Sequence, residues 1–446
     1  MAKIEKVEYL IIGNSAGSIG AAEAIRETDK AGAITIISDE PYPAYSRPLI
    51  SEYLAERCSL ERMLFRSPDF YKVNNIQAVL GKTVERLDTE AHTIELDKGG
   101  RIIWEKLLLA TGGLPVVPQI EGVARRGVFT FTTLDDAKAI DRFLRGVAGA
   151  VVIGGGLIGV SITEALVKRG IKVTVVEMQE RILNTILDEE ASVLEEEALR
   201  QAGASIVTGH TVAKISCDST KDAVSSVTLD DGNSIPCNLV ILAIGVRPRT
   251  ELTSGTGIKI NRGIVVDRYM ATSSPDVYAC GDAAEAYDFI YGENRLNPVW
   301  PNAYIGGRIA GFNMAGVPTE YSGGTAVNSL RYFGLDVVSA GMVTPLDDGY
   351  EVLSEKYDHT YKKVVLKDGF VVGMVFASDI EKSGIVFNLM KDRVKVDGFK
   401  QALVADNFGL VSLPEKIWRP QLEMPPSVSA SSIISTEQPE GILMGE

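Results

Sequence analysis

The chain has 446 residues, room for about three domains at roughly 150 residues each. With 45% hydrophobic residues, 23% charged residues and four cysteines, none in a C-x-x-C pair, it is not disordered, collagen-like or disulfide-stapled, and it lacks cysteine metal-cluster motifs. Its 45 basic against 59 acidic residues give a net charge of −14, which argues against nucleic-acid binding, because a polyphosphate backbone is held by cations.

The opening MAKIEKVEYL carries charges at Lys3, Glu5, Lys6 and Glu8, which no signal-peptide apolar core contains. So few cysteines in so long a chain suit a reducing compartment, and the expected location is cytoplasmic. From Val7 to Arg26, VEYLIIGNSAGSIGAAEAIR reads as an apolar strand, a glycine turn and an alanine-rich helix, and AITIIS at 33–38 follows as a second strand. Gly13 occupies the turn, while Ser15 and Ser18 stand where the second and third glycines of a G-x-G-x-x-G fingerprint belong. The acid pair Asp39-Glu40 after the second strand can hold a ribose or form a solvated turn. A buried strand ending in a Gly/Pro turn, KLLLATGGLPVVPQIEG, spans 106–122.

The stretch from Gly146 to Thr163 is uncharged, but six of its residues are glycine, so it reads as strand, turn and helix start rather than a membrane span. Here Gly154, Gly156 and Gly159 make an intact G-x-G-x-x-G inside GAVVIGGGLIGVSITEALVKRG, followed by the strand IKVTVVE at 171–177. The first glycine permits the tight turn, the second lets backbone N–H groups approach a pyrophosphate, and the third lets the helix pack closely with its dipole facing the anion. Glu177 ends the next strand at the roughly 20-residue spacing where an acid accepts both adenine-ribose hydroxyls. Met178 and Gln179 supply no cation for a 2′-phosphate, so NAD(H) is favoured over NADP(H).

NLVILAIGVRPRTEL (238–252) repeats the pattern of the 106–122 segment. TSSPDVYACGDAAE (272–285) places Gly281-Asp282 after a strand and before an expected small-residue helix, where Asp282 either caps the helix or faces a polyol. From about 321 the composition changes, and YKKVVLKDGFVVGMVFA (361–377) reads as a hairpin turning at Asp368-Gly369, the mark of a separate α+β domain. Lys391, Arg393, Lys395 and Lys400 form a basic cluster that reads first as a solvated face and second as a dock for an acidic carrier. His92, His210 and His359 are scattered without metal-ligand spacing, and no metal site is expected. Residues from about 426 onward are Ser/Pro-rich and read as a flexible tail.

Taken together, GNSAGS, ATGG (110–113), GGGLIG, AIGVRP (243–248) and TSSPDVYACGDAAE resemble, over about 1–315, the two-dinucleotide flavoprotein reductases of the pyridine nucleotide–disulfide oxidoreductase superfamily. DEPYPAYSRPLISEYL (39–54) and DGFVVGMVFASDIEKSGIVFNLMKD (368–392) look like the branch that holds NADH:rubredoxin reductase and the flavin domain of assimilatory nitrite reductase. The resemblance implies an α/β fold of two Rossmann-like domains, one for FAD and one for NAD, with a C-terminal α+β interface domain. The corresponding boundaries are 1–118 with 246–320 for FAD, 119–245 for NAD, 321–425 for the interface domain and 426–446 for the tail.

By the same resemblance, Gly13, Ser15 and Ala16 line the FAD pyrophosphate, and Asp39 or Glu40 meets its ribose. Arg47 approaches the pyrophosphate or the flavin edge, Thr111-Gly112 closes over the dinucleotide, and Gly281-Asp282 brings a carboxylate to the ribityl chain. Ser46, Ser161, Trp300 and Pro301 flank the flavin, and Gly154, Gly156, Ile158, Gly159, Glu177 and Gly245 hold NADH. Ser161 replaces the glutamate that many relatives place beside the nicotinamide. Thiol-dependent branches carry a redox cysteine near the position of Ser46, and a serine cannot form a sulfenate or mixed disulfide. Cys58 and Cys280 are read as packing residues.

The implied reaction passes a hydride from NADH to flavin N5, with no acid or base required, and then single electrons to an iron–sulfur carrier or an iron–sulfur subunit. An NADH oxidase or peroxidase, and a nucleotide-binding subunit without turnover, are the alternatives. The expected assembly is a homodimer or one subunit of a heteromeric complex, with neither nucleic acid nor membrane as partner.

Overall fold

The computed structural model describes residues 4–97, 99–218 and 223–422. The tail expected at 426–446 lies outside them. The first sheet has the strand order Ile76–Leu80, Ile34–Ser38, Ile4–Ile12, Arg101–Leu109, Thr93–Leu96, Val84–Asp88, and Val277–Ala279 joins it beside Arg101–Leu109. The strands before and after the first glycine turn pair in parallel, Ile12 opposite Ile37 and Leu109. All five residues of Ile34–Ser38 are buried, as strands covered on both faces must be.

The helix Ala16–Thr28 lies against the helix Trp300–Met314, and glycines set their separation. A Cβ on Gly307 would land on the Gly17 carbonyl, and one on Gly311 would land on that of Ala21. This close approach fixes the N-terminus of the second helix, and therefore Trp300, beside the first glycine turn.

The second sheet is wholly parallel, in the order Ser205–Thr208, Lys172–Glu177, Gly149–Ile153, Leu239–Leu242, Val128–Thr130. The chain leaves the first unit through Gly113–Pro115 and returns through Val246–Pro248, and these two short strands pair antiparallel. The third unit is an antiparallel sheet ordered Val327–Tyr332, Leu335–Gly341, Phe370–Ala377, Thr360–Lys367, Glu351–Tyr357, with the helix Ser383–Lys391 packed on it. Asp368 and Gly369 turn its hairpin with φ of +52° and +78°.

The helix expected after Gly281-Asp282 is replaced by a strand. The turn itself is one 3₁₀ turn, Gly281–Ala283, and the chain continues from it as the strand Ala284–Asp288. Pairing with Ile264–Val265 and Glu293–Arg295 claims that segment's backbone. The small residues there serve a tight sheet, and the next helix begins only at Trp300. Among the described residues no helix is long and apolar enough to cross a membrane.

Candidate active site

The carboxyl ends of the parallel strands in the first two sheets face one cleft of about 1150 Å³. A pocket for a single ligand is ~300–1,000 Å³, so this one exceeds the usual space for one small molecule. Open α/β sheets bind nucleotides at this end because the turns there lead into helix N-termini. Gly13, at φ +116°, leads into the helix Ala16–Thr28, and a Cβ on it would fall on the Ala110 carbonyl. Gly154, at φ +105°, leads into Leu157–Lys168, and its Cβ would stand 2.5 Å from the Ala243 carbonyl oxygen.

The two helix starts are built alike. Ser15 and Gly156 are their N-cap residues, and neither supplies a side-chain cap. Two other helix starts are sealed by side chains, Leu134–Phe143 by the Thr133–Asp136 capping box and Glu189–Gln201 by Asp188, whereas Trp300–Met314 and Ser383–Lys391 likewise start without a side-chain cap. The unspent N–H groups at the cleft are those an anionic ligand would take up. Ser18 adds a buried hydroxyl with no partner in the first turn of Ala16–Thr28.

The cleft brings together Gly13, Ser15, Ala16, Asp39, Glu40, Arg47, Thr111, Gly112, Gly281, Asp282 and Trp300 with Gly154, Gly156, Ile158, Glu177 and Gly245. Four expected residues do not line it. Gly159 packs under the turn, where a Cβ would strike the Gly154 carbonyl. Ser46 starts the turn Arg47–Leu49, and its N–H donates to Met63 O at 2.8 Å. Ser161 faces Tyr332 of the third unit. Pro301 is exposed at the start of its helix.

The acids after the second strand divide their work. Glu40 accepts from Tyr45 Oη at 2.6 Å and from the Arg47 guanidinium. Asp39 pairs with Arg249 at 2.6 Å. Arg47 also donates to Thr132 O at 3.0 Å, reaching the second unit. Burial opposes the charge on Arg47, but Tyr45, Glu40 and Asp282 outweigh it and raise the pKa above the ordinary value. Burial pushes the Asp282 carboxyl up, with Arg47 acting against it.

In the second unit Glu177 accepts from Gly155 N at 2.6 Å and Gln179 N at 2.8 Å, so it braces the glycine turn from the adjacent strand end. Cys280 lines the cleft, but burial and then Asp282 push its thiol up to about 12, far from thiolate. The sequence reading missed Asn14, Lys82, Thr132, Asn184 and Arg249 as lining residues. Arg249 lies within a segment already picked out, NLVILAIGVRPRTEL, but nothing local marks it as facing Asp39 across 210 positions. Lys82 follows an unremarkable strand, and no spacing rule reaches it.

FAD and NAD(H) fit this donor set: two glycine turns too tight for a Cβ, two unsealed helix starts for two pyrophosphates, and carboxylates at both strand ends. Comparison with known proteins agrees. The pyridine nucleotide-disulphide oxidoreductase family profile matches residues 7–307, and that of the rubredoxin NAD+ reductase C-terminal domain matches 327–394. The chain is 32% identical over 408 residues to the NADH-dependent phenylglyoxylate dehydrogenase subunit epsilon of Aromatoleum evansii, covering 90% of this chain and 96% of that one. It is 30% identical over 394 residues to nitrite reductase [NAD(P)H] of Bacillus subtilis, covering 88% of this chain but only 48% of the relative. Putidaredoxin reductase, solved in covalent complex with putidaredoxin, superposes with a TM-score of 0.84 at 26% identity over 94% of this chain and 99% of that one. The chain belongs to the pyridine nucleotide-disulphide oxidoreductase family and is a FAD-dependent NAD(H) oxidoreductase.

Proposed function

We propose that the protein passes electrons between NADH and a one-electron iron–sulfur acceptor, a rubredoxin- or ferredoxin-like carrier or a partner subunit. One observation carries this reading: both nucleotide turns open into one cleft whose lining holds no thiolate-competent cysteine among the described residues. Bound together, the two cofactors supply hydride transfer from the nicotinamide and single-electron release from the flavin. The chain's own part is to hold and orient. Gly13, whose own N–H is spent on Ile37 O, shapes the turn so that the N–H groups of Ser15 and Ala16 meet the FAD pyrophosphate, Asp39 takes the ribose, and Asp282 takes the ribityl hydroxyls. Arg47, fixed by Glu40, sets a cation beside Asp282. Gly154, Gly156 and Ile158 receive the second pyrophosphate, with Glu177 on its ribose and Gly245 at the crossing point. Trp300 covers the end of the cleft nearest its helix start.

Residues 1–118 with 246–320 form the flavin unit, 119–245 the NAD unit and 321–425 the interface unit in this reading. The protein acts in the cytoplasm, as a homodimer or as one subunit of a larger enzyme. An iron–sulfur partner is supported by the relatives' names: a reductase solved with putidaredoxin, and a third unit matching the rubredoxin reductase C-terminal domain.

Anaerobic mixing with NADH tests the reading. The flavin absorbance should bleach, and an oxidised iron–sulfur carrier should restore it much faster than oxygen does. Absence of bleaching refutes turnover, and preferential reoxidation by oxygen identifies an oxidase instead.

A further inference from the structure

Arg249 lies directly after Val246–Pro248, the strand by which the chain returns from the second nucleotide unit to the first. Its backbone is anchored on both sides to the loop over the cleft. Arg249 N donates to Gly112 O at 2.9 Å, and Thr111 Oγ1 donates to Arg249 O at 2.6 Å. From that fixed base the guanidinium crosses the mouth of the cleft and meets Asp39 Oδ2 at 2.6 Å. Asp39 belongs to the opposite wall, just past the strand Ile34–Ser38. Both residues line the cleft and both are partly open to solvent, at 33% and 41% side-chain exposure.

The neighbouring acid cannot play the same part, because Tyr45 and Arg47 occupy its two oxygens. Asp39 spends one oxygen on Arg249 and keeps the other, and a guanidinium carries five N–H donors. The pair can therefore stay closed while Asp39 still bonds a ligand beneath it. We propose that Arg249 and Asp39 form a latch over the adenosine half of the flavin dinucleotide, set at the crossing between the two nucleotide units, which governs how fast FAD leaves. The proposal rests on the reading that the first glycine turn holds FAD.

Flavin release from the holoprotein tests it, followed as the rise in flavin fluorescence after dilution. Arg249→Gln should release FAD about fivefold faster, the size that a partly exposed ion pair supports. Asp39→Asn, which also weakens the ribose contact, should release FAD at least as fast, and the double variant should be no faster than Asp39→Asn, since the ion pair is then already gone. Arg249→Lys, which keeps the charge but not the fork, should fall between. Salt at about 0.5 M should speed release from the wild type and leave Arg249→Gln unmoved. A release rate for Arg249→Gln within about twofold of wild type, equal salt sensitivity, or additive single effects would overturn the latch while leaving the cofactor assignment standing. A wild-type chain that retains no flavin would overturn the cofactor assignment itself, and the latch with it.

Discussion

Glu195 is fully buried beside Glu164, and neither of its carboxylate oxygens has a hydrogen-bond partner. Glu164 is well supplied by comparison. It accepts from Phe333 N at 2.8 Å and Lys168 Nζ at 2.5 Å, and Arg57 stands 3.6 Å away. Burial, and then the charge of Glu164, push the Glu195 carboxyl from 4.5 up to about 8. The folded protein thus keeps a proton that the unfolded chain releases near 4.5, so stability falls as pH rises from there and levels off above about 8. Glu195→Gln removes that slope. The variant should exceed wild type by on the order of a few kcal/mol at alkaline pH and lose the advantage near pH 5. Urea midpoints for both proteins across that range check this, and parallel curves would rule it out.

Asp188 joins the second unit to the third. One oxygen caps the helix Glu189–Gln201 through Ala191 N at 3.2 Å, and the other accepts from Tyr361 Oη at 2.6 Å and Lys363 Nζ at 2.8 Å. Lys363 is buried, so removing the carboxylate strands an ammonium in the interior. Asp188→Ala should cost about 3 kcal/mol or more, and Asp188→Asn less, because an amide oxygen still caps. Denaturant unfolding of the two variants side by side decides it.

The two glycine turns were legible because their geometry is local: a strand end, a positive φ and a helix start need only neighbouring residues. The same held for the Asp368-Gly369 hairpin. What could not be read was anything settled by residues far apart in sequence. The choice between Asp39 and Glu40 depends on Tyr45, Arg47 and Arg249, and only the fold brings the last of these within reach. Ser161 was placed beside the flavin by family resemblance, and only the fold brings Tyr332, from a different unit, up to it. The segment after Asp282 has helix-like composition and becomes a strand because two other strands are there to pair with it.

The glycine turns can be tested against each other. Gly13→Ala should yield protein with little flavin, and Gly154→Ala should keep its flavin but bind NADH at least about tenfold more weakly, ~1.4 kcal/mol. Both place a Cβ against a carbonyl at positive φ. Gly170 also has a positive φ, +76°, but a Cβ there meets nothing within 4 Å. Gly170→Ala should therefore cost only about 1–3 kcal/mol of backbone strain and spare both ligands. Flavin absorbance per polypeptide and an NADH titration separate the three. Flavin loss in Gly154→Ala alone would reverse the assignment of the two units.

Glu177 has two tasks, and they can be pulled apart. Its oxygens accept from Gly155 N and Gln179 N, which steadies the turn whichever nucleotide is bound, while its charge disfavours a 2′-phosphate. Glu177→Gln removes the charge but keeps only one of the two acceptors, so one backbone N–H of the turn loses its partner; it should lower the preference for NADH at a stability cost of about 1–3 kcal/mol. Pairing Glu177→Ser with Met178→Arg goes further, because Met178 is 64% exposed at the cleft edge and an arginine there can reach the phosphate. The NADPH-to-NADH ratio of kcat/KM should rise at least about tenfold in the double variant, or ~1.4 kcal/mol of discrimination. A ratio equal to wild type in both variants would mean that Glu177 only braces the turn and that the ribose is recognised elsewhere.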